Sequence, residues 1–275
     1  MDALTRSFDP ARLAHGALLP FPPRVLVPFA AVGFAGVLAR HLGWTDAPVM
    51  RVLGVVSFHG GLLAASLASA WQGASGWGPC AALMALSLLI GAAACAVTPW
   101  GCLAYLLPPL VLAHATFRHP ECGRMGLALR ADWRVLARGA VVGGFLGAHL
   151  LLSASRTFGY PVHLSPPAPY LTGVLYDVGA NVLSAECFFR GTLFNHWQRR
   201  WSFWPAALAV TGLSVLRYLV DPALPRVLEM MIGAVFYLAL LSLSGCALLW
   251  YSGSLLPSLT ASFVFFSAYR MLHAR

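Results

Sequence analysis

The sequence is poor in charge. Only 10% of its 275 residues are charged, none is lysine, and nine are acidic. A soluble globular domain carries about 25% charged residues, so the scarcity excludes an ordinary soluble enzyme, a disordered chain and a nucleic-acid-binding domain. The formal net charge is +9, and all 18 positively charged residues are arginines. In a membrane protein such arginines set the topology and contact anionic lipid headgroups.

Paired metal-binding and disulfide motifs are also missing. The six cysteines form no CxxC pair and no zinc spacing, and no HExxH motif occurs. We therefore expect buried single cysteines, no metal and no cofactor. His59, His114 and His149 each lie alone in an apolar run. The first 23 residues hold charges and prolines instead of the apolar core of a cleavable signal peptide, so none is predicted.

Long apolar runs fill most of the chain. Hydrophobic residues make up 59% of it, and the mean hydropathy is +0.74. A transmembrane helix needs roughly 20 apolar residues, and continuous runs argue against the alternating pattern of a β-barrel. We predict an all-α, polytopic bundle of eight or nine spans, since the fourth run is short and holds Pro108 and Pro109. The runs are 25–39, 52–71, 80–98, 102–116, 137–153, 171–195, 203–220, 227–251 and 255–272.

Arginine placement predicts the orientation. Loop 117–138 carries five arginines, and loop 197–202 adds Arg199 and Arg200. The positive-inside rule therefore places both loops in the cytoplasm. The expected location is the inner membrane of a bacterium, with the lipid bilayer and another membrane protein as partners. In the fifth run, Gly143, Gly144 and Gly147 favour close helix contact.

Ionisable residues lie at membrane depth in runs six to eight. Asp177 precedes Asn181 and Ser184 at helical spacing, and Glu186 stands four residues before Arg190, which suits an ion pair. A charge at the centre of a span costs about 2.5–3.5 kcal/mol and persists only when paired or facing a cavity. We predict an inward-facing polar cluster, either functional or simply cross-linking helices. Its members are Glu186, Arg190, Arg217 and, as further candidates, Asp177 and Glu229.

Three segments in order resemble the CPBP family of CAAX prenyl endopeptidases and bacteriocin-processing intramembrane proteins. Glu186–Leu193 reads ECFFRGTL, close to that family's Glu-Glu-x3-Arg motif. Gln198–Pro205 reads QRRWSFWP, and Gly253–Pro257 reads GSLLP, like the entry to the family's last helix. The resemblance covers about 171–270. It implies a CPBP-like core at 136–275, preceded by transmembrane helices at 1–135 that carry no recognised motif.

The resemblance also implies a degenerate active site. Aligned on Arg190, the first glutamate of the family falls on Ala185, and only the second is matched, by Glu186. The second-motif histidine corresponds to Arg217, and the last-helix histidine and asparagine correspond to Ser262 and Phe266. In the family, these groups are held to activate water and stabilise the oxyanion. Their loss removes contributions worth orders of magnitude in rate.

Three functions remain open. The first is a non-catalytic CPBP-like protein that binds or scaffolds other membrane proteins. The second is an active endopeptidase with a rearranged site, using Glu186 as acid or base and Arg190 to orient it. Cys187 is less suited as a nucleophile, because adjacent helical residues point about 100° apart. The third is a transporter or channel, which the absence of an obvious inverted repeat disfavours.

Overall fold

The computed structural model describes residues 23–71, 76–127, 132–162, 167–219 and 228–272. Within these ranges the chain is helical and contains no strand; its only β-type feature is an isolated antiparallel bridge between Val162 and Leu272. The predicted all-α class is therefore confirmed.

Nine helices occupy the described residues, one for each predicted apolar run. Three of them change type along their length: α2 contains the π-helical segment Val55–Gly60, α4 begins as a 3₁₀-helix over Pro99–Leu106, and α6 contains two π-helical segments. The helices are α1 Leu26–His41, α2 Ala47–Trp71, α3 Trp77–Val97, α4 Pro99–Arg118, α5 Trp133–Thr157, α6 at 167–197, α7 Phe203–Leu219, α8 Leu228–Ser252 and α9 Leu256–Tyr269.

Side-chain caps explain where three helices begin. Asp46 accepts from the Val49 backbone N–H at the start of α2, and Asp132 accepts from the Arg134 N–H at the start of α5. Thr98 accepts from the N–H groups of Trp100 and Gly101 ahead of α4. Each cap satisfies backbone donors that the first helical turn leaves without a partner. Two of the few acidic residues therefore serve as helix caps.

Six described helical stretches are long and apolar enough to cross a membrane, which makes the chain an integral membrane protein. They correspond to α1 to α5 and α8; α7 and α9 are apolar but shorter. In α4 the 3₁₀ turn gives way to α-helix at Leu107, immediately before Pro108 and Pro109, which occupy the first turn where proline is tolerated. The prediction of eight or nine spans stays a prediction.

The chain forms two compact units. The described part of the N-terminal unit lies within 18–125 and 166–188, and that of the C-terminal unit lies within 126–165 and 189–275, so the chain passes from one to the other inside α6. The predicted division of the chain into 1–135 and 136–275 is based on sequence motifs and not on spatial contacts, and it stays a prediction.

The N-terminal unit is organised around α2. Every residue of its second half, Gly61–Trp71, is buried. A Cβ on Gly61 would lie 3.1 Å from the Cβ of Phe29, so a small residue lets α1 pack closely. In the 3₁₀-helix Pro120–Met125, Arg124 donates to the Ala70 carbonyl at 2.9 Å and ties that segment to the end of α2.

Glycine contacts define the C-terminal unit. Cβ atoms built on Gly139 and Gly143 would collide with the backbone carbonyls of Pro257 and Ala261. From the first contact to the second, the position on α5 and the position on α9 both increase by four residues. The two helices therefore run parallel, with their backbones almost touching. Gly144 faces open space, so the expectation that it too permits close contact is wrong. Thr211 of α7 donates to Ser242 of α8 at 3.0 Å.

Candidate functional site

Several of the polar residues at membrane depth lie in π-helical segments. These segments are Val55–Gly60 in α2 and Asp177–Asn181 and Glu186–Phe194 in α6. A π-turn inserts a residue into the α-helical hydrogen-bond pattern and occurs frequently at functional sites. In this chain the three segments hold His59, Asp177, Asn181, Glu186 and Arg190.

His59 is the centre of a polar network in the N-terminal unit. Its Nδ1 lies 2.7 Å from the Ser184 hydroxyl, and its Nε2 lies 2.9 Å from the Tyr176 hydroxyl. His59 and Ser184 are buried, and the Tyr176 ring packs edge-on against the rings of His59 and Tyr105. Both imidazole nitrogens thus have hydrogen-bond partners, as buried polar groups in an apolar interior require.

A second pair lies on the same segment of α6. Asn181 donates from its side-chain amide to a carboxylate oxygen of Asp177 at 2.9 Å, and both residues are buried. Next to them, a Cβ on Gly179 would collide with the Tyr105 carbonyl. A larger residue at 179 would push α6 away from α4. The predicted common face of Asp177 and Asn181 is thereby confirmed.

Ala185 and Glu186 complete the N-terminal unit's part of the predicted site. Ala185 is 3% exposed and Glu186 is 2% exposed. A methyl group therefore stands in a closed environment at the position where the resemblance implies a glutamate, and the remaining carboxyl is shielded from bulk water. Cys187 is fully buried as well.

The C-terminal unit surrounds Arg190 with small residues. Arg190 is 3% exposed, and its Nη1 donates to the Ser214 hydroxyl of α7 at 3.5 Å. A Cβ on Gly245 of α8 would lie 3.2 Å from the Arg190 Nε and 2.5 Å from the Ser258 Oγ of α9. Three helices therefore leave room for one guanidinium, and the bare backbone at Gly245 is needed to admit it.

Arg217 belongs to an aromatic stack. Its guanidinium carbon lies 4.6 Å from the centroid of the Tyr218 ring, and that ring stacks on Phe266 with centroids 5.7 Å apart and an interplanar angle of 27°. The structure thus brings together, through Tyr218, the two positions where the resemblance implies a histidine and an asparagine. A guanidinium over an aromatic face is stabilised by a cation–π interaction.

The other predicted positions are distributed as follows. Ser262 lies one turn after Ser258 on α9, and both are buried. The side chain of Glu229 lies outside the described residues, so its pairing with Arg217 stays a prediction, as does the pairing of Glu186 with Arg190. Asp177, Ala185 and Glu186 belong to the N-terminal unit, and Arg190, Arg217, Ser262 and Phe266 to the C-terminal unit.

Sequence reasoning missed the histidine contacts. His59 and His149 each lie alone in their runs, yet His59 meets Tyr176 and Ser184, and His149 Nδ1 lies 2.7 Å from the Tyr237 hydroxyl. These partners are 88 to 125 residues apart in the chain. Spacing rules within one helix cannot predict contacts over such separations. The one feature of the sequence that could have indicated these contacts is the presence of a histidine inside an apolar run.

No group of three or more His, Cys, Asp or Glu side chains suited to a metal ion occurs in the described ranges. Comparison with known proteins adds no identification: no family model matches the chain, and no curated protein or solved structure matches it.

Proposed function

We propose that the chain is a CPBP-like integral membrane protein that binds or scaffolds other membrane proteins without cleaving them. The support comes from three of the four positions, Ala185, Arg217, Ser262 and Phe266, where the resemblance implies hydrolytic groups. Ala185 has no acid–base capacity, the side chain of Phe266 has no hydrogen-bond donor, and a guanidinium such as that of Arg217 has no acceptor with which to act as a base.

The Arg217 stack is the observation that carries the proposal. A general base takes up a proton and releases it again, whereas the Arg217 guanidinium, which offers only donors, lies over the ring of Tyr218, and that ring stacks on Phe266. The stack occupies the place where the resemblance implies a water-activating histidine and an oxyanion donor. Without both contributions, hydrolysis by the family mechanism loses several orders of magnitude in rate.

A peptidase assay on the full chain in proteoliposomes tests the proposal. A prenylated CAAX peptide and an unprenylated transmembrane peptide serve as substrates, and Glu186→Gln serves as the matched control. We expect no cleavage by either form above the rate of empty liposomes. Cleavage by the native chain that Glu186→Gln abolishes would overturn the proposal. That outcome would instead establish the alternative, an intramembrane endopeptidase that uses the buried carboxyl of Glu186 together with Arg190.

We further propose a cytoplasmic position for loops 117–138 and 197–202 in a bacterial inner membrane. Trp197 and Trp201 lie beside each other, and Phe203 contacts Trp250, so the end of α6, the start of α7 and the end of α8 share one level. The start of α9 follows α8 directly, and α5 runs parallel to α9. The start of α5 and loop 197–202 are therefore at the same level within the C-terminal unit, beside aromatic residues of the kind found at membrane interfaces, and this supports the proposed side of the two loops.

A further inference from the structure

The outer face of α5 carries a histidine at membrane depth. Val141, Phe145 and Leu152 are 70%, 68% and 58% exposed, and His149 is exposed among them. The opposite face of α5 packs on α9 through Gly139 and Gly143. His149 is therefore an imidazole in a mainly apolar surface that faces lipid or another protein.

His149 lies well inside the hydrocarbon layer. It precedes the last residue of α5, Thr157, by eight positions, or about 12 Å at 1.5 Å per residue. The 25-residue α5 exceeds a hydrocarbon layer of about 30 Å by only a few ångströms at each end. The ring consequently lies about 8 Å below the lipid ester groups, and its bond to Tyr237 keeps it from reaching them.

The contact with Tyr237 selects the tautomer of His149. Tyr237 is buried, and its hydroxyl lies 2.7 Å from Nδ1 of His149. Ser153, the other polar neighbour, reaches the same nitrogen at 3.4 Å. A buried phenol O–H that donates to no acceptor costs roughly 1–3 kcal/mol, so Tyr237 donates and Nδ1 accepts. A neutral imidazole then carries its proton on Nε2, which leaves the outward side as an N–H donor.

We propose that the α5 face formed by Val141, Phe145, His149 and Leu152 docks a transmembrane helix of another membrane protein, and that this helix carries a hydrogen-bond acceptor at the depth of His149. Hydrocarbon chains offer no acceptor there. A second copy of this chain related by two-fold symmetry would bring a donor against a donor, so it does not complement the face. The side-chain oxygen of an asparagine, a glutamine or a carboxyl group accepts a hydrogen bond and therefore complements the Nε2–H donor.

The inference rests on the proposed function, since it names the kind of partner that a binding protein of this fold would hold. Its first test concerns the chain alone. In ¹⁵N-histidine-labelled protein in lipid bilayers, we expect the Nδ1 of His149 to show the chemical shift of an unprotonated nitrogen and Nε2 that of a protonated one. His149→Leu assigns the signals. A protonated Nδ1 would overturn the donor argument.

The second test probes the face with a defined peptide. Full-length protein is reconstituted in phosphatidylcholine vesicles with a fluorescent polyleucine transmembrane peptide that carries one asparagine about eight residues from its end, and association is measured by energy transfer. An all-leucine peptide is the matched control. Hydrogen bonds between membrane helices average about 0.6 kcal/mol, so we expect roughly threefold tighter association of the asparagine peptide.

Two variants make the result specific. His149→Leu removes the donor, and we expect it to erase the difference between the peptides. His149→Gln places an amide N–H near the position of Nε2, and we expect it to retain the difference. Equal association of both peptides with the native chain, an unchanged difference in His149→Leu, or stronger energy transfer between two copies of the chain than to the peptide would overturn the proposal.

Folding and function are controlled separately. Circular dichroism and gel-filtration elution in detergent confirm that each variant is folded. The peptidase assay at Glu186 reports on the proposed absence of catalysis, and His149 lies outside that site. Failure of the docking test with an inactive chain therefore rejects the docking face alone, whereas cleavage of peptide substrates rejects the proposed function itself.

Discussion

At the residue scale, hydroxyl groups provide hydrogen-bond partners for two histidines at membrane depth, the buried His59 and the exposed His149. His59 meets Ser184 and Tyr176, and His149 meets Tyr237. A neutral imidazole bonded to hydroxyls avoids the cost of a charge at membrane depth. The sequence revealed the buried Asp177–Asn181 pair because its members are four residues apart on one helix. It did not reveal the histidine partners, because they come from distant helices.

Removing one hydroxyl from the His59 network should weaken the fold. Tyr176→Phe leaves His59 Nε2 without its partner at 2.9 Å, and we expect a loss of about 0.5–1.5 kcal/mol in unfolding free energy. Titration with sodium dodecyl sulfate measures it. The control is Tyr160→Phe, whose hydroxyl makes no hydrogen bond within the described residues. Equal losses in the two variants would show that the network contributes nothing.

The buried thiol of Cys122 should react slowly. It is fully buried in the segment between α4 and α5, and burial raises its pKa from 9.0 to about 11. Two pKa units reduce the thiolate fraction at pH 8 about a hundredfold. Alkylation by iodoacetamide, followed by mass spectrometry, should therefore be at least that much slower in the folded than in the unfolded protein.

The same shift predicts a pH dependence. The folded thiol holds its proton up to about pH 11, whereas the unfolded thiol ionises from pH 9. The stabilisation is thus fully present below pH 9 and is lost as the pH rises toward 11. Replacement of Cys122 by Ala should flatten the decline of stability over this range; an identical decline in both proteins would contradict the assignment.

At the element scale, the helices themselves were predictable and their contacts were only partly so. Each apolar run became a helix, since apolar residues in a bilayer need internally satisfied backbones. Gly143 and Gly147 make the expected close helix contact, which is with α9, but Gly144 does not. Glycine content predicts that a close contact exists, whereas the direction of each residue depends on how the helix is rotated against its partner.

The pair Gly143 and Gly144 offers a direct test of the α5–α9 contact. A methyl group at 143 would collide with the Ala261 carbonyl, whereas one at 144 would meet open space. We expect Gly143→Ala to destabilise the protein by about 1–3 kcal/mol and Gly144→Ala to leave its stability unchanged or slightly raised. Thermal unfolding in detergent compares them. A similar effect of both substitutions would contradict the parallel packing of α5 and α9.

At the scale of the whole molecule, composition predicted an all-α membrane protein, and the structure agrees. The site was harder to predict, since its argument joined a motif around Arg190 to positions on three later helices. The stack of Tyr218 on Phe266 and the room that Gly245 leaves for Arg190 depend on how α7, α8 and α9 pack against one another. The spacing of residues within one helix does not predict these contacts between helices.

Cysteine labelling in intact cells tests the proposed topology. Ser202 lies in the loop after α6, and Thr157 ends α5; both are exposed. A membrane-impermeant maleimide should label Thr157→Cys in intact cells and Ser202→Cys only after permeabilisation. The native chain controls for labelling of its own cysteines. Labelling of Ser202→Cys from outside would show that the orientation is the reverse of the proposed one. Labelling of both cysteines from the same side would contradict the parallel arrangement of α5 and α9.

If the polar groups around Glu186 are closed off from water and form no hydrolytic chamber, the thiol of Cys187 should be unreactive in the folded protein. This native thiol is fully buried beside Glu186. The measurement is reaction of the full chain in liposomes with a charged methanethiosulfonate, with Cys187→Ala identifying the signal. We predict no modification of Cys187 until the protein is unfolded. Rapid modification in the folded state would show a hydrated, accessible chamber and contradict the account.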